Sequence, residues 1–521
     1  MTALKESETH LDVYTQDKET VLQIDSLLKA KRPDSEHEGR VQSGKDDGYT
    51  RFYQAKNHKV DGVMGKYFKV PYGFKKRLLD NIQFDTVEEL PKVDNSDVMD
   101  FLRGILPTLP FKPYKHQLNA FMALTKTKNA LPIVATGGGK SLIAYLALRY
   151  FYKHSKKLIL VVPTIGLTDQ MFQDFKDYNA PEAFLNDIKL IGGENTDKTL
   201  NANIVISTWQ SLKKVMKDVK KYDCILVDEA HQAKADVLQE ILDQPVPFKL
   251  GMTGSMPIVK VDAMALEQSL GQPNRIINAR QLMDINLLTD TIIMSIFLTH
   301  PRKQTRSGMK YQKEVQFIRE SLPRQDFVKS FLQKLKGVTV ALYNVTAHGE
   351  DTFESLTGVK LTNKLKSDFE MMKEHNVFFM SGSTKSSVRE QIRLYLNTCK
   401  NAVVIGQFSV LSTGINIPRL KNLVFLSSTK SYTLVLQAIG RIMRLHEDKG
   451  DKVYVFDLVD MFTYAKDTYS YNHFTTREAY YQSEGHPILE RNIVLGIDRN
   501  APEPVKKTTN KGTLKANSLF D

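Results

Sequence analysis

The sequence predicts an α/β protein in which two parallel-sheet lobes lie in tandem, preceded by a small α/β N-terminal domain. Two series of short apolar segments alternate with helical segments, which is typical of parallel sheets covered by helices on both faces. The first series runs from about residue 96 to 285 and the second from 286 to 475. The expected strands are Leu158–Val162, Ile188–Ile191, Ile204–Ile206, Cys224–Val227 and Lys249–Met252, then Val338–Leu342, Val377–Met380, Ala402–Ile405, Leu423–Leu426 and Val453–Phe456.

The regions that flank the two lobes are expected to form smaller units. Residues 1–95 are polar and contain an expected strand, Leu11–Tyr14, and a helical run, Val21–Leu28. Lysines alternate with aromatic residues between Lys66 and Arg77, a pattern that suits a grip on DNA. Half-buried aromatic rings beside solvated lysines explain this pattern equally well. Residues 476–521 are expected to be a C-terminal extension that ends in a flexible basic tail.

A phosphate-binding loop is expected at the start of the first lobe, where an apolar strand leads into three glycines. Glycines allow backbone N–H groups at a helix N-terminus to approach a phosphate closely. Lys140 is expected to reach the β- and γ-phosphates of ATP, and the Ser141 hydroxyl to coordinate Mg²⁺. Val134 stands where the strict loop pattern begins with glycine. The expected nucleotide-binding residues are Thr136, Gly137, Gly138, Gly139, Lys140 and Ser141.

An acidic motif follows another expected strand of the first lobe, Cys224–Val227. Asp228 at the end of this strand is expected to hold Mg²⁺ through water. Glu229 is expected to orient or deprotonate the water that attacks ATP. His231 is placed to sense the γ-phosphate. A surface Asp-Glu pair is the alternative, and the buried strand before it argues against that reading.

A cationic motif lies in the second lobe, where Gln437, Gly440, Arg441 and Arg444 complete the pattern Q-x-x-G-R-x-x-R. On a helix, the spacing of Gln437, Arg441 and Arg444 places the three side chains on one face. Phosphoryl transfer is accelerated by arginine supplied from a second domain, and we expect these arginines to do so. A solvated basic face is the alternative, but it requires neither the glutamine nor the glycine.

The order of these motifs resembles that of the superfamily-two helicases, over roughly residues 110–460. Further matching segments are Pro113–Gln117, Val162–Gln170, Ser207–Leu212, Gly251–Ser255, Phe379–Ser383 and Ser412–Pro418. The resemblance implies two RecA-like lobes that bind ATP between them and close during hydrolysis. It assigns adenine recognition to Gln117, a nucleotide contact to Gly414, and coupling of hydrolysis to movement to Thr253 and Ser255. The backbone phosphates of the tracked strand are assigned to Thr164, Thr208, Ser381 and Thr413.

A closer resemblance is to the UvsW helicases of T-even-type phages. The segments that carry it are Asp47–Tyr49, Asp61–Gly62, Pro71–Phe74, Ile191–Gly193, Thr208–Ser211, Gly254–Ser255 and Val435–Arg441. This resemblance implies branch migration, fork regression, and unwinding of D-loops and RNA–DNA hybrids in phage recombination, repair and replication. An RNA helicase, a restriction-type DNA translocase subunit and a clamp- or fork-bound scaffold with vestigial hydrolysis are the alternatives.

Composition agrees with a polyanionic partner, since the net charge is +13 and the isoelectric point about 9.2. Two cysteines are too few for a disulfide scaffold or a cysteine-based zinc site. No apolar run approaches the roughly 20 residues of a membrane helix. The N-terminus does not read as a secretion signal. We therefore expect a cytoplasmic protein, in the host cytoplasm if it is phage-encoded, with ATP and Mg²⁺ as cofactors and no membrane partner.

The last residues carry two large apolar side chains, Leu519 and Phe520, on a polar and basic tether. A short apolar-acidic plug on a flexible tether suits docking into a pocket of a partner protein. The pattern resembles the C-terminal peptides by which phage replication proteins bind their sliding clamp. A frayed terminus or a tail folded back on the second lobe is the alternative.

Overall fold

The computed structural model divides the chain into two compact units, Met1–Ile277 and Asn278–Asp521. The expectation of two parallel-sheet lobes preceded by a small sheet domain is confirmed, and the small domain is part of the first unit. The residues that the structure describes are 1–7, 10–33, 41, 46–60, 62–90, 94, 96–192, 199–232, 235–257, 259–300, 310–408, 417–462 and 468–496.

The N-terminal domain is a five-stranded sheet with the strand order β5-β6-β2-β1-β7. Its first helix begins after Asp17, whose carboxylate accepts hydrogen bonds from the backbone N–H groups of Glu19 and Thr20. Phe68 and Phe74 are buried in the core of this domain, so these two aromatic residues pack inward instead of facing a ligand. The bounds are β1 Thr2–Glu6, β2 His10–Thr15, α1 Lys18–Leu27, β3 Lys29–Lys31, β4 Tyr49–Arg51, β5 Gln54–Val60, β6 Val63–Pro71, α2 Lys75–Asn81 and β7 Thr86–Glu88.

The N-terminal domain packs directly on a helix of the first lobe, Lys260–Leu270. A β-carbon built on Gly73 would lie 1.9 Å from the Glu267 carbonyl oxygen, so only glycine allows this approach. Arg77 Nε donates to Glu267 Oε1 at 2.9 Å. Met264 of the same helix belongs to the hydrophobic core of the small domain. These contacts explain why the small domain and the first lobe form one unit.

The first lobe contains a parallel sheet of seven described strands in the order β10-β11-β9-β12-β13-β8-β14. All five residues of β9 are buried, although successive side chains point to opposite faces, so both faces of the sheet are covered. The strands are β8 Asn129–Val134, β9 Leu158–Val162, β10 Ile188–Ile191, β11 Ile204–Thr208, β12 Cys224–Val227, β13 Phe248–Gly251 and β14 Pro273–Ile277. The helices are α3 Val98–Ile105, α4 Lys115–Lys126, α5 Lys140–Lys153, α6 Ile165–Asp177, α7 Glu182–Asn186, α8 Trp209–Lys213, α9 Met216–Val219, α10 Ala235–Leu242 and α11 Lys260–Leu270.

The second unit is built around another parallel sheet of seven described strands, in the order β17-β18-β16-β19-β20-β15-β21. The boundary expected at residue 475 does not mark the end of this unit, because α19 crosses it and β21 pairs with β15. The strands are β15 Asp290–His300, β16 Val338–Tyr343, β17 Val377–Met380, β18 Ala402–Gln407, β19 Leu420–Phe425, β20 Lys452–Phe462 and β21 Ile488–Val494. The helices are α12 Ala279–Asp284, α13 Tyr311–Glu320, α14 Leu322–Lys334, α15 Thr346–Thr357, α16 Phe369–His375, α17 Ser386–Leu396, α18 Tyr432–Ile442 and α19 Tyr469–Ser483.

Candidate active site

The glycine loop between β8 and α5 has the backbone that its sequence requires. Gly137 and Gly139 adopt φ angles of 87° and 78°, in the left-handed region that favours glycine. Lys140 is the first residue of α5, so the N-terminal N–H groups of this helix lie at the loop. A helix N-terminus reached through such a loop binds anions.

Gln117 and His116, at the start of α4, brace this loop. Gln117 Nε2 donates to the Gly138 carbonyl at 3.3 Å, and its Oε1 accepts from the Tyr114 backbone N–H at 2.9 Å. Burial lowers the pKa of His116, and its Nε2 lies 2.9 Å from the same Gly138 oxygen. A β-carbon on Gly139 would approach Gln117 Nε2 to 2.2 Å. Gln117 therefore sits against the loop, and recognition of adenine by Gln117 stays a prediction.

Lys140 and the two acids of the first lobe converge behind the loop. Lys140 Nζ lies 3.0 Å from Glu229 Oε1. The Glu229 backbone N–H donates to Asp228 Oδ1 at 2.9 Å. Glu229 has a φ of 47°, which is uncommon for a residue with a β-carbon and typical of strained functional positions.

Burial and neighbouring charges push the pKa values of the two acids in opposite directions. Burial, reinforced by the Glu229 charge, raises the pKa of Asp228 to about 7. Burial also opposes ionisation of Glu229, but the Lys140 ammonium and His231 outweigh it and lower the pKa of that carboxyl. Paired groups with diverging pKa values are a common sign of divided acid and base roles.

His231 is connected to the loop after β13 by hydrogen bonds. The Thr253 hydroxyl donates to the Ser255 carbonyl at 2.7 Å, and His231 Nδ1 lies 2.6 Å from the same hydroxyl oxygen. Because a hydroxyl has one proton, Nδ1 must be the donor to Thr253. The Gly254 backbone N–H donates to Glu229 Oε2 at 3.4 Å, so this loop also contacts the catalytic acid. Ser255 Oγ is buried and has no hydrogen-bond partner in the described part of the chain.

Ser141 has two neighbours that the sequence analysis missed. Its hydroxyl lies 2.7 Å from Tyr178 OH, and it also donates to Asp174. Nothing in the sequence singles out a tyrosine 37 residues downstream. The hydroxyl of Ser141 and the buried carboxylate of Asp228 are the hard oxygen donors that suit Mg²⁺, which usually takes its other ligands from water and phosphate. The described residues contain no cluster of three or more His, Cys, Asp or Glu side chains that could hold a metal alone.

The hydroxyl residues expected to contact the tracked strand differ in exposure. Thr164 is exposed at the start of α6. Thr208 is only 3% exposed, and its hydroxyl caps α8 by accepting from the Ser211 N–H, so the expected phosphate contact of this hydroxyl is not available. Ser381 is 5% exposed and its hydroxyl lies 2.9 Å from that of the exposed Ser383. Thr413 and Gly414 lie outside the described residues.

The arginine motif of the second unit lies at the end of α18. Gln437 and Arg441 are on the helix, but the helix ends at Ile442. Arg444 therefore lies in the following turn, so the single helix expected for all three residues carries only Gln437 and Arg441. Burial and the neighbouring Arg444 charge lower the pKa of Arg441 to about 10. Two guanidinium groups that repel each other favour an anion between them.

The turn that carries Arg444 is held by groups that the sequence did not reveal. Lys449 is 1% exposed, and its Nζ donates to the carbonyls of Ile442 and Arg444 at 2.9 and 2.6 Å. Thr289 donates through its N–H to the Met443 carbonyl at 2.7 Å. The Thr289 hydroxyl donates to the Arg444 carbonyl at 3.3 Å. The end of α18 is thereby tied to the segment just before β15.

The start of α18 is held by a buried ion pair. Arg477 Nε and Nη2 donate to the two carboxylate oxygens of Asp457 at 2.8 and 2.7 Å, and both side chains are fully buried. Arg477 Nη1 donates to the Thr429 carbonyl at 2.7 Å. Tyr480 OH donates to the Lys430 carbonyl at 3.2 Å. These bonds fix the segment from which the arginine-bearing helix begins.

Comparison with known proteins agrees with this geometry. A family model described as "Type III restriction enzyme, res subunit" matches residues 110–258, and one described as "Helicase conserved C-terminal domain" matches residues 334–446. The chain is 27% identical over 433 residues to the ATP-dependent DNA helicase uvsW of Enterobacteria phage T4, covering 81% of this chain and 83% of that protein. It is 24% identical over 409 residues to the putative helicase 22 of Sulfolobus islandicus filamentous virus, covering 71% of this chain and 69% of that protein.

Among solved structures, the fragment of a putative HsdR subunit of a type I restriction enzyme from Vibrio vulnificus matches with a TM-score of 0.55. The match covers 77% of this chain and 72% of that chain at 18% identity, so it supports the fold alone.

The two parallel sheets and the two family models together identify an ATPase of the helicase class. The chain belongs to the superfamily-two helicases, and the phage T4 uvsW helicase is similar to it over most of its length. It is therefore an ATP-dependent helicase that binds nucleic acid. No helix in the described ranges is long and apolar enough to cross a membrane. Leu519 and Phe520 lie outside the described residues.

Proposed function

We propose that this helicase remodels branched DNA: it migrates junctions, regresses forks, and unwinds D-loops and RNA–DNA hybrids. The similarity to the T4 uvsW helicase supports this proposal, since it covers 81% of the chain. The single observation that carries it furthest is the N-terminal domain, which presents a basic two-stranded ribbon and packs on the ATP-binding lobe. Phage recombination, repair and replication are the processes in which such an activity acts.

We propose the following roles in hydrolysis. The glycine loop and Lys140 bind the triphosphate, because the helix N-terminus and the ammonium both stabilise anionic oxygens. Ser141 and Asp228 would hold Mg²⁺, and the charge of the ion would favour the ionised form of the buried Asp228 carboxyl. Mg²⁺ supplies charge neutralisation at the phosphates when bound. Glu229, which the Lys140 ammonium keeps ionised, orients the attacking water or accepts its proton.

The remaining motifs are proposed to couple hydrolysis to strand movement. Arg441 and Arg444 of the second unit stabilise charge on the transferred phosphoryl group. His231, hydrogen-bonded to Thr253, passes a change at the γ-phosphate to the loop that contains Ser255. The exposed Thr164 contacts backbone phosphates of the tracked strand, together with the loops of Ser381 and Thr413. Thr208 helps only indirectly, by capping the helix that begins at Trp209.

The proposal is tested by a panel of matched substrates: a four-way junction, a three-strand fork, a D-loop, an RNA–DNA hybrid and a linear duplex with a single-stranded tail. ATP-dependent separation of the branched substrates should be faster than that of the tailed duplex. Glu229→Gln is the matched inactive control, because it keeps the size and the binding surface of the side chain. Equal rates on branched and linear DNA would contradict the branch preference while leaving the helicase assignment intact.

A translocase of the restriction type is the second candidate, because the first-lobe family model is named for a restriction enzyme subunit. Such a motor moves along duplex DNA without separating its strands. Displacement of a third strand from a triplex distinguishes the two. Triplex displacement without unwinding of any fork would favour the translocase. A proposed contact of Leu519 and Phe520 with a sliding clamp is independent of both.

A further inference from the structure

The hairpin formed by β5 and β6 projects beyond the N-terminal sheet. Strand β6 pairs with β5 from Val63 to Lys69. It pairs with the next strand, β2, only from Lys66 to Pro71. Residues 58–60 and 63–65 therefore form a two-stranded ribbon, and no third strand of the described chain pairs with it.

The tip of this ribbon is apolar. Val63 and Met64 are 51% and 59% exposed, next to a turn in which Gly62 has a φ of 83°. Consecutive residues of a strand point to opposite faces, so the two side chains cover both faces of the tip. These two side chains do not pack within the domain, and they leave apolar surface at the tip that another molecule can cover.

The base of the ribbon is braced, so the tip is held in a fixed direction. A β-carbon on Gly65 would lie 2.6 Å from Tyr14 OH, which shows how closely the Tyr14 ring packs on the ribbon. Tyr14 OH donates to the Val63 carbonyl at 3.3 Å and accepts from Gln16 Nε2 at 3.1 Å. The Tyr14 and His58 rings meet edge to face, with centroids 6.0 Å apart.

The charge of the ribbon indicates the kind of partner. Between Gln54 and Pro71 the sequence contains four lysines and a single aspartate. Lys56 lies over the Tyr67 ring at 4.9 Å, and Lys59 is exposed near the tip. Lysines that flank an apolar tip suit a nucleic acid, because phosphates can bind the lysines while bases contact the apolar side chains. A protein partner would gain little from so small an apolar area among repelling cations.

We propose that the β5–β6 tip is a wedge that enters DNA at a branch point. Val63 and Met64 insert at the base pair next to the branch and unstack it, while the lysines of the ribbon hold the backbones on either side. Apolar side chains inserted between base steps are a known means of unstacking a duplex. This inference rests on the proposed activity on branched DNA and names the part of the protein that recognises the branch.

The test uses the full chain with Val63→Ser and Met64→Ser combined. A fork carries 2-aminopurine, whose fluorescence rises on unstacking, in the base pair at the branch. Wild type should raise the fluorescence on binding without ATP, and the double variant at saturation should not. Fork unwinding by the variant should fall by about tenfold, as expected when an unstacking contact is lost. ATPase stimulated by single-stranded DNA should stay unchanged, because the tip belongs to the N-terminal sheet and the phosphate loop to the first lobe.

Two controls separate the wedge from a general effect of the domain. Leu22→Ser removes an apolar side chain that is 70% exposed on α1 of the same domain, and it should match wild type in every assay. Lys56→Gln with Lys59→Gln should weaken fork binding and its salt dependence but keep the fluorescence rise at saturation.

Two results would overturn the wedge. One is a wild-type fluorescence rise that the double variant keeps in full. The other is a loss of unwinding that Leu22→Ser reproduces. If wild type itself shows no preference for branched DNA over tailed duplex, the proposed function fails first. If that preference exists and survives the double variant, only the wedge fails.

Discussion

Arg477→Met should destabilise the second unit strongly, because it leaves the Asp457 carboxylate buried without its counter-charge. Both side chains are fully buried and share two hydrogen bonds of 2.8 and 2.7 Å. Removing one partner of a buried pair costs about 3–5 kcal/mol. Loss of the hydrogen bond to the Thr429 carbonyl adds about 1 kcal/mol. The expected destabilisation is therefore about 4–6 kcal/mol.

In a unit of this size, 1 kcal/mol corresponds to about 2–4 °C in melting temperature, which gives a decrease of roughly 8–24 °C. Differential scanning calorimetry of the full chain measures the decrease. The ATPase rate at a temperature where the variant is still folded should also fall, since Arg477 fixes the segment before the arginine-bearing helix. Arg491→Met removes an exposed arginine from β21 of the same unit and should have little effect.

A double variant separates the unpaired charge from lost packing. Arg477→Met with Asp457→Asn removes the uncompensated carboxylate, and it should recover part of the lost stability. A decrease below about 3 °C for the single variant would refute the reasoning, because even the lower bound of the estimate exceeds it. A double variant less stable than the single one would show that the charge is not the cause.

Three further predictions concern the active site. Lys140→Ala should abolish ATP hydrolysis. Glu229→Gln should bind ATP and not turn it over. DNA-stimulated turnover near that of wild type in either variant would contradict the assignment of these residues to the active site. Arg444→Ala should lower turnover by about 10³-fold or more while ATP affinity changes much less. If affinity is lost and turnover at saturation is normal, Arg441 would be the residue that stabilises charge on the transferred phosphoryl group. Asp228→Asn should abolish hydrolysis and yet raise the melting temperature of the nucleotide-free protein at pH 8. Burial raises the folded-state pKa of the Asp228 carboxyl above its ordinary value of 3.8, so this carboxyl lowers stability at pH values where it is ionised in the unfolded chain. The gain should therefore shrink as the pH falls towards 3.8.

Several strands of the two sheets could be predicted because each is a short apolar run between polar turns. Strands β9, β10, β12 and β17 begin and end at the predicted residues. Contacts that join distant segments could not be predicted this way. Nothing in the local pattern indicates that Lys449 turns inward to bond the carbonyl of Arg444, or that the helix ends before that residue.

Residue types that can serve two purposes also limit what the sequence can predict. A threonine before a short helix fits a phosphate ligand and a helix cap equally well, and Thr208 proves to be a cap. Interleaved lysines and aromatics likewise fit two readings, and the structure shows burial for two of the aromatic residues. Phe68 and Phe74 are core residues, whereas Tyr67 faces outward with Lys56 above it. Only the register of the strands decides which side chain faces which way.

Because Gly73 packs so closely on the Glu267 carbonyl, the N-terminal domain cannot be removed from the first lobe without exposing the surface between them. A chain shortened to begin at residue 96 would expose to solvent the side of α11 that carries Val261, Met264 and Ala265. We expect such a chain to aggregate, so it cannot be used to measure substrate preference. Any graft of the basic ribbon onto another motor would have to carry α11 with it. In this chain the contacts with α11 fix the orientation of the ribbon relative to the ATP-binding lobe. The ribbon therefore moves together with that lobe.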